Sequence, residues 1–144
     1  MPSAPVSPEV AELLGKANPA VVASIRPDGT PHSAATWYVW QDGRVLLSMD
    51  RGRARLRFLR ANPAVSITVL DVDDMYRSVS LSGRVVELYD DEGLRDIDSL
   101  CERYLACPYP DRAHPRVSAW IEVEQWFLWD SDRETPGVEE ARSS

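Results

Sequence analysis

The sequence predicts a mainly β protein: a small antiparallel barrel, closed or partly closed, of six or seven strands with two or three peripheral helices. Apolar and polar residues alternate along most of the apolar segments, as they do in half-buried strands. Short turn signals, Pro27-Asp28-Gly29 and Asp42-Gly43, separate successive segments. Two hairpins in succession favour an antiparallel meander over βαβ units.

The predicted strands follow from these turns. Thr30 to Gln41 is read as one long strand that pairs with the strand leading into Ser48. Gly83, inside a later strand, indicates a bulge or a bend at a barrel corner. An acidic loop is expected over residues 71–75. The strands are expected at residues 20–26, 30–41, 44–49, 64–70, 76–89 and 116–129.

Three helices are predicted from capping residues and apolar spacing. Ser7 and Pro8 are suited to the N-cap and first position of a helix over residues 8–16. Asn62-Pro63 ends a second helix over residues 51–61. Acidic residues at 90–92 precede a third, which reaches about residue 106.

Length and charge limit the classes of protein. At 144 residues and a net charge of −7, we expect one domain over residues 1–130 and an acidic, flexible tail over 131–144. An acidic chain is a poor nucleic-acid binder. No apolar run reaches the length of about 20 residues that a membrane helix needs, and the N-terminus lacks the pattern of a signal peptide. We therefore expect a cytoplasmic protein with no membrane partner.

Several catalytic and metal motifs are missing from the sequence. Cys101 and Cys107 lack the spacing of a metal site and are expected to be reduced thiols, and His32 and His114 are far apart. The G-x-S-x-G, H-E-x-x-H, G-x-G-x-x-G and Walker A patterns do not occur. We therefore predict no metal site and identify no catalytic residue.

Five arginines occur within ten residues, at positions 51, 53, 55, 57 and 60. On an acidic chain this local cluster suits one small anionic ligand. A strand that leads into the N-terminus of a basic helix is a physically reasonable phosphate site. The alternative is a solvated helix face, because Arg53, Arg57 and Arg60 have helical spacing.

Aromatic residues occur on the strand expected beside this cluster, at Trp37, Tyr38 and Trp40. A flat heteroaromatic ligand with a phosphorylated tail suits both segments: its ring would lie near the aromatic strand and its tail near Arg53 and Arg55. Core packing or a subunit interface explains the aromatic residues equally well.

Residues 30–71, TPHSAATWYVWQDGRVLLSMDRGRARLRFLRANPAVSITVLD, and 75–88, MYRSVSLSGRVVEL, resemble the pyridoxamine 5′-phosphate oxidase-like superfamily of flavin-binding split barrels. The closer resemblance is to its actinobacterial branch that uses the deazaflavin coenzyme F420. The similar features are a W-Y pair late in the second strand, a serine ending the third, R-x-R before a helix, an N-P stop and an S-G-R strand. The resemblance covers residues 7–128.

The resemblance implies a homodimer with the cofactor in a groove between subunits, and hydride transfer between reduced F420 and a small organic substrate. Arg53 and Arg55 would hold the phosphate tail, although the family often has lysine where Arg55 stands. The other implied cofactor-binding residues are Ser48 and Met49 along the tail, Thr36 and Trp37 at the ring, and Tyr76 from the second subunit.

Three other functions stay open at this point. The same barrel binds FMN in other branches, which implies an oxidase or a flavin reductase. A non-catalytic cofactor carrier is compatible with the lack of an evident acid or base. Haem binding would need His32 or His114 as axial ligand.

Overall fold

Turn residues divide the chain into the strands of one antiparallel sheet. The computed structural model describes residues 1–131, and these form seven strands, three α-helices and a short 3₁₀ turn at Glu92–Leu94. The strands are β1 (Ala20–Ile25), β2 (Pro31–Thr36), β3 (Val39–Gln41), β4 (Arg44–Asp50), β5 (Ala64–Asp71), β6 (Asp74–Asp90) and β7 (Arg116–Asp130). The helices are α1 (Pro8–Leu14), α2 (Ala54–Ala61) and α3 (Arg95–Leu105).

The strand order forces the sheet to roll into a barrel. The order is β2-β1-β5-β6-β7-β4-β3, so β2 and β3 form the two opposite edges. Only Trp37 and Tyr38 connect these two strands. Three steps between successive Cα atoms span at most about 11 Å. The two edges therefore lie close together, and the barrel is split where the chain crosses from one edge to the other.

The prediction of one continuous strand over residues 30–41 is therefore wrong. The β2 segment pairs with β1, Thr36 opposite Ala20, whereas β3 pairs with β4, Val39 opposite Leu46. Only the β3 half lies beside the strand that carries Ser48. The strand breaks because Tyr38 turns into the core, where its side chain is completely buried.

The hydroxyl group of Tyr38 is held by polar groups of the α1–β1 connection. It lies 2.9 Å from the Leu14 carbonyl oxygen and accepts a 3.0 Å hydrogen bond from Asn18 Nδ2. Asn18, also fully buried, donates to the Leu13 carbonyl and accepts from the Val72 N–H. Burial raises the pKa of Tyr38 to about 12, so the phenol stays protonated and can donate. This network fixes the crossing between the sheet edges.

The core confirms the alternation that predicts the strands. Along β5, Val65, Ile67 and Val69 are buried while Ser66 and Thr68 are exposed. The register between β6 and β7 shifts at Gly83, as predicted. A Cβ atom on this glycine would lie 2.1 Å from the Glu122 carbonyl oxygen, so the two strands approach too closely for any side chain.

The helices follow their local signals, with two boundaries corrected: the first helix ends at Leu14 rather than residue 16, and the start of the second also differs. Ser7 Oγ accepts a hydrogen bond from Val10 N–H, as expected of an N-cap. The second helix begins at Ala54 rather than residue 51, because Asp50 forms a turn with Gly52 N–H at 2.8 Å. The predicted acidic loop at residues 71–75 is shorter, since Asp71 already pairs with Asp74.

Apart from Ser131, the predicted acidic tail lies outside the described residues. Among residues 1–131, no helix has the length and apolar character needed to cross a membrane. Cys101, which is buried, and Cys107, which is exposed, form no disulfide, and their sulfur atoms lie within hydrogen-bond distance at 3.9 Å.

Replacing Tyr38 by Phe should destabilise the protein by about 1–3 kcal/mol. The substitution leaves the buried Leu14 carbonyl and Asn18 amide each with one hydrogen bond fewer. Equilibrium urea unfolding measures the change. Tyr76→Phe is the matched control, because Tyr76 is 69% exposed, and it should change stability by less than about 0.5 kcal/mol. Equal stability of both variants would show that the phenol network does not hold the crossing.

Candidate functional site

A cleft with a volume of about 720 Å³ opens at the split of the barrel. One side is formed by the end of β2 and the crossing residue Trp37. The end of β4, the start of α2, one face of α3 and the start of β7 complete it. The same closure that brings the two sheet edges together thus gathers residues from distant parts of the chain around one cavity.

The turn after β4 brings two arginines to one end of the cleft. Arg53 N–H donates to the Asp50 carbonyl at 3.0 Å, so the chain reverses directly into α2. Arg53 is the N-cap in extended conformation, and no side chain caps the helix. No acidic residue lies in the first turn. The cleft therefore receives both guanidinium groups, of Arg53 and Arg55, beside uncapped N–H groups of a helix N-terminus.

Arg55 is the more constrained of the two side chains. Its Nε is buried and has no hydrogen-bond partner within residues 1–131. Burial lowers the pKa of Arg55, and repulsion from Arg53 and Arg116 lowers it further. In the described part of the chain, no ion pair joins Arg53, Arg55 or Arg116 to a carboxylate. An anion bound here would satisfy groups that residues 1–131 leave uncompensated.

Arg116 reaches the same end of the cleft from β7. Its Nε donates to Ser48 Oγ at 2.9 Å, and Nη1 donates to the Tyr109 hydroxyl at 3.3 Å. Its guanidinium carbon lies 4.9 Å from the centre of the Tyr109 ring, a cation–π distance. Arg116, Ser48 and Tyr109 all line the cleft.

His32 lines the cleft from β2. Its ring contacts Phe58 edge-on, with 5.5 Å between ring centres. Nδ1 is buried and has no hydrogen-bond partner among the described residues. The histidine therefore adds one more unsatisfied polar atom to the residues that surround the cleft.

The remaining walls are mainly apolar and aromatic. The rings of Trp37 and Tyr104 are stacked, with 5.4 Å between centres and 11° between planes. Ile97 and Leu100 of α3 also line this part. The Tyr104 hydroxyl donates to the Asn18 carbonyl at 2.7 Å, and burial raises the pKa of this tyrosine. One end of the cleft is thus cationic, and another part suits a flat apolar group.

The structure brings six of the seven sequence-predicted cofactor residues together around the cleft. They are Thr36, Trp37, Ser48, Met49, Arg53 and Arg55. Tyr76 is different: it lies near the start of β6, is largely exposed and does not line the cleft.

Sequence reasoning missed three polar or aromatic residues of the cleft, Tyr104, Tyr109 and Arg116, and named His32 only as a possible haem ligand. One signal was available, since His32 and Arg116 are polar residues near the ends of predicted strands. That these residues line one cleft with Arg55 depends on long-range packing that no local pattern encodes. Within residues 1–131, no three His, Cys, Asp or Glu side chains are grouped to hold a metal ion.

A rolled antiparallel sheet, split beside a cleft with an apolar wall and a cationic end, defines a split-barrel protein. The chain belongs to the pyridoxamine 5′-phosphate oxidase family, whose model matches residues 6–130. No curated protein matches the sequence.

Solved structures with the same fold include proteins of several names. A protein named F420 reductase is 30% identical with a TM-score of 0.75, covering 86% of this chain and 98% of its own. A conserved hypothetical protein from Mycobacterium tuberculosis is 27% identical with a TM-score of 0.67, covering 89% and 86%. General Stress Protein 26 from Bacillus anthracis, 19% identical with a TM-score of 0.65, covers 88% and 93% and shares the fold.

Replacing Arg55 by Met should stabilise the ligand-free protein by about 1 kcal/mol. The change removes a partly buried guanidinium that has like charges beside it and a buried, unpaired Nε. Urea unfolding in a buffer without phosphate or sulfate measures the effect. Arg57→Met is the control, because Arg57 is exposed on the same helix and should change stability by less than about 0.5 kcal/mol. A less stable Arg55→Met protein would contradict the view of Arg55 as an uncompensated charge.

Proposed function

We propose that this protein binds coenzyme F420 in the cleft and acts as an F420-dependent oxidoreductase on a small organic substrate. The observation that carries the proposal is the pair Arg53 and Arg55, unpaired with any described carboxylate, at the end of a cleft with an aromatic wall. The family membership supports oxidoreductase activity. The 30% identical protein named F420 reductase supports the choice of F420.

The residues of the cleft fit a flat ring with a phosphorylated tail. Arg53 and Arg55 would hold the phosphate through charge-assisted hydrogen bonds. Ser48 and Met49 would lie along the tail, and Thr36 and Trp37 near the ring. The buried Nε of Arg55 indicates that an anionic ligand fits this site. It is a hydrogen-bond donor without a partner among the described residues, and a phosphate oxygen would accept its hydrogen bond.

The chemistry that reduced F420 would supply here is a hydride for the substrate. The chain's contribution is to bind, orient and exclude water. The Tyr104 hydroxyl donates to the Asn18 carbonyl, so it serves as a wall rather than as a proton donor. Ser48 Oγ accepts a hydrogen bond from Arg116 Nε, which fixes the serine at the base of the charged end. No lining residue is assigned an acid–base role.

FMN is the alternative cofactor, and the family itself favours it. The family is named for pyridoxamine 5′-phosphate oxidase, and FMN also combines a flat ring with a phosphate. The same arginines would hold its tail. An FMN oxidase, a flavin reductase and a non-catalytic carrier are therefore the competing functions that the binding experiment separates.

We also propose that the protein is a homodimer whose interface is an outer face of the sheet. Five strands carry two adjacent rows of side chains without any charge on this face. The rows are Ser33-Ala23-Ser66-Ser82-Gln125 and Ala35-Val21-Thr68-Ser80-Phe127. A charge-free surface is unusual on a chain with 27% charged residues, and the lack of charged side chains is typical of the centre of an interface. Ala35 of this face also lines the cleft, so a second subunit would extend the cleft wall.

Tyr76 has its proposed role only in this dimer. Its side chain is exposed and lies outside the cleft of its own subunit. A second subunit seated on the charge-free face is the route by which Tyr76 would reach a cofactor.

Replacing Arg53 and Arg55 together by Ala should raise the Kd for F420 by at least about 100-fold. Each charge-assisted hydrogen bond contributes about 1.5–3 kcal/mol. Titrations followed by ligand fluorescence measure the Kd for F420 and, separately, for FMN. The protein is made in a host that lacks F420. The double variant Arg57→Ala/Arg60→Ala is the matched control, since both residues are exposed on α2 and do not line the cleft. It should keep its affinity within about threefold.

The outcome separates the candidate functions. Tighter binding of F420 than of FMN, lost in the Arg53/Arg55 variant only, supports the proposal. Tighter binding of FMN assigns the protein to the oxidase or flavin reductase alternative. Tight binding of F420 without turnover on any electron acceptor assigns it to the carrier alternative. Equal losses in the two double variants would contradict the role of Arg53 and Arg55.

Placing a charge on the interface should dissociate the dimer. Thr68 lies in the middle strand of the charge-free face, so Thr68→Arg would bury two unpaired guanidiniums across a two-fold axis. Light scattering coupled to size exclusion at micromolar concentration measures the mass. Glu102→Arg, an exposed change on α3, should leave the dimer intact. A wild-type protein that is monomeric under these conditions would rule out the shared cleft.

A further inference from the structure

Arg116 is held more firmly than a solvated surface arginine. It is the first residue of β7, and two of its nitrogens donate to side chains of other elements, Ser48 on β4 and Tyr109 in the α3–β7 connection. The guanidinium also lies against the Tyr109 ring, 4.9 Å from its centre. These contacts come from two directions and fix the plane of the group, which an arginine needs for directed recognition of an oxyanion.

The carboxylate nearest in the strand register does not neutralise Arg116. Asp50 lies opposite Arg116 in the β4–β7 pairing. Its Oδ1 instead accepts the Gly52 N–H at 2.8 Å, as part of the turn that begins α2. Among the described residues, the contacts of the Arg116 guanidinium are thus a neutral serine, a neutral phenol and an aromatic face.

Arg116 also acts electrostatically on Arg55. After burial and the charge of Arg53, Arg116 is the third cause that lowers the pKa of Arg55. Arg53, Arg55 and Arg116 also line the same cleft, so one bound ligand can contact all three guanidiniums. A ligand with one acceptor atom can bind only one of the three guanidiniums. A phosphate has several oxygens and can accept hydrogen bonds from all three.

We propose that Arg116 is the third guanidinium of one phosphate site, shared with Arg53 and Arg55, and that it makes the cleft select phosphorylated ligands over the same ring without a phosphate. The inference rests on the proposed function in taking the cleft as a cofactor site. It applies equally to the phosphodiester of F420 and to the phosphomonoester of FMN.

The alternative role for Arg116 is purely structural. Its hydrogen bonds to Ser48 and Tyr109 could serve only to shape the cleft. A structural role weakens every ligand of the cleft to a similar degree. A phosphate-binding role weakens only those ligands that carry the phosphate, so the ratio of two affinities separates the roles.

The experiment compares Arg116→Gln, Arg116→Lys and the control Arg57→Gln. Arg57 is exposed on α2 and does not line the cleft. The first probe is inorganic pyrophosphate. Calorimetry measures its affinity for the full-length protein in whatever oligomeric state it is purified. The second is the affinity ratio of F420 to its ring–ribityl fragment without phosphate, and of FMN to riboflavin.

Arg116→Gln should weaken pyrophosphate and the phosphorylated cofactor by about tenfold or more, while the phosphate-free fragment changes by less than about twofold. Arg116→Lys should recover part of the loss, because it restores the charge without the planar fork. Arg57→Gln should match the wild type in every measurement.

Two results would overturn the inference. One is an equal loss for phosphorylated and phosphate-free ligands, which assigns Arg116 a structural role. The other is a wild-type protein that binds neither pyrophosphate nor a phosphorylated ring more tightly than the bare ring. Failure of the proposed function looks different: F420 is not preferred, yet pyrophosphate still binds and still depends on Arg116.

Discussion

The hydrogen bonds of Tyr38 are the interaction on which the rest of the structure depends. A two-residue connection joins the opposite edges of a seven-stranded sheet, and its second residue is fully buried with its hydroxyl bonded to the α1–β1 connection. Asn18 links the same point to Val72 and Tyr104. One buried tyrosine therefore determines where the barrel is split. Trp37, the other residue of the connection, faces the cleft that this split opens.

Charged side chains are paired with opposite charges around Arg77, and this distinguishes that cluster from the arginines of the cleft. Away from the cleft, Arg77 contacts Glu9, Asp71 and Asp130 within 3.2 Å, and Lys16 adds a second cation to Asp71. Burial alone would raise the pKa of Asp71, yet the hydrogen bonds from Lys16, the Asp73 N–H and Arg77 hold it below its ordinary value. Each cation of that cluster thus has carboxylate partners, and the pairing stabilises the fold at pH values above the pKa of Asp71. Within residues 1–131, Arg53, Arg55 and Arg116 have no carboxylate partner, which is the arrangement of a binding site rather than of a structural one.

The parts of the fold that sequence predicts are those with local causes. The Ser7 cap, the alternation of β5 and the close approach at Gly83 each depend on a few neighbouring residues. The break at Trp37 and Tyr38 has no local signal, because both residues suit a strand and the groups that make burial of the phenol favourable, Asn18 and the Leu14 carbonyl, are distant in sequence. Arg53 and Arg55 were found because they follow one another in sequence. Arg116 was missed because 61 residues separate it from Arg55, and the β4–β7 pairing alone brings it near Ser48.

The residue at position 55 shows how burial limits the choice of cation. In this chain the group at position 55 is partly buried, and two further guanidiniums act on it. An ammonium group in that setting loses its proton readily, because burial and like charges both lower its pKa. A guanidinium starts about two units higher and stays charged at physiological pH even when its pKa falls. Arginine at position 55 therefore allows Arg116 to join the same site, since the cluster can keep three positive charges where a lysine would give one up.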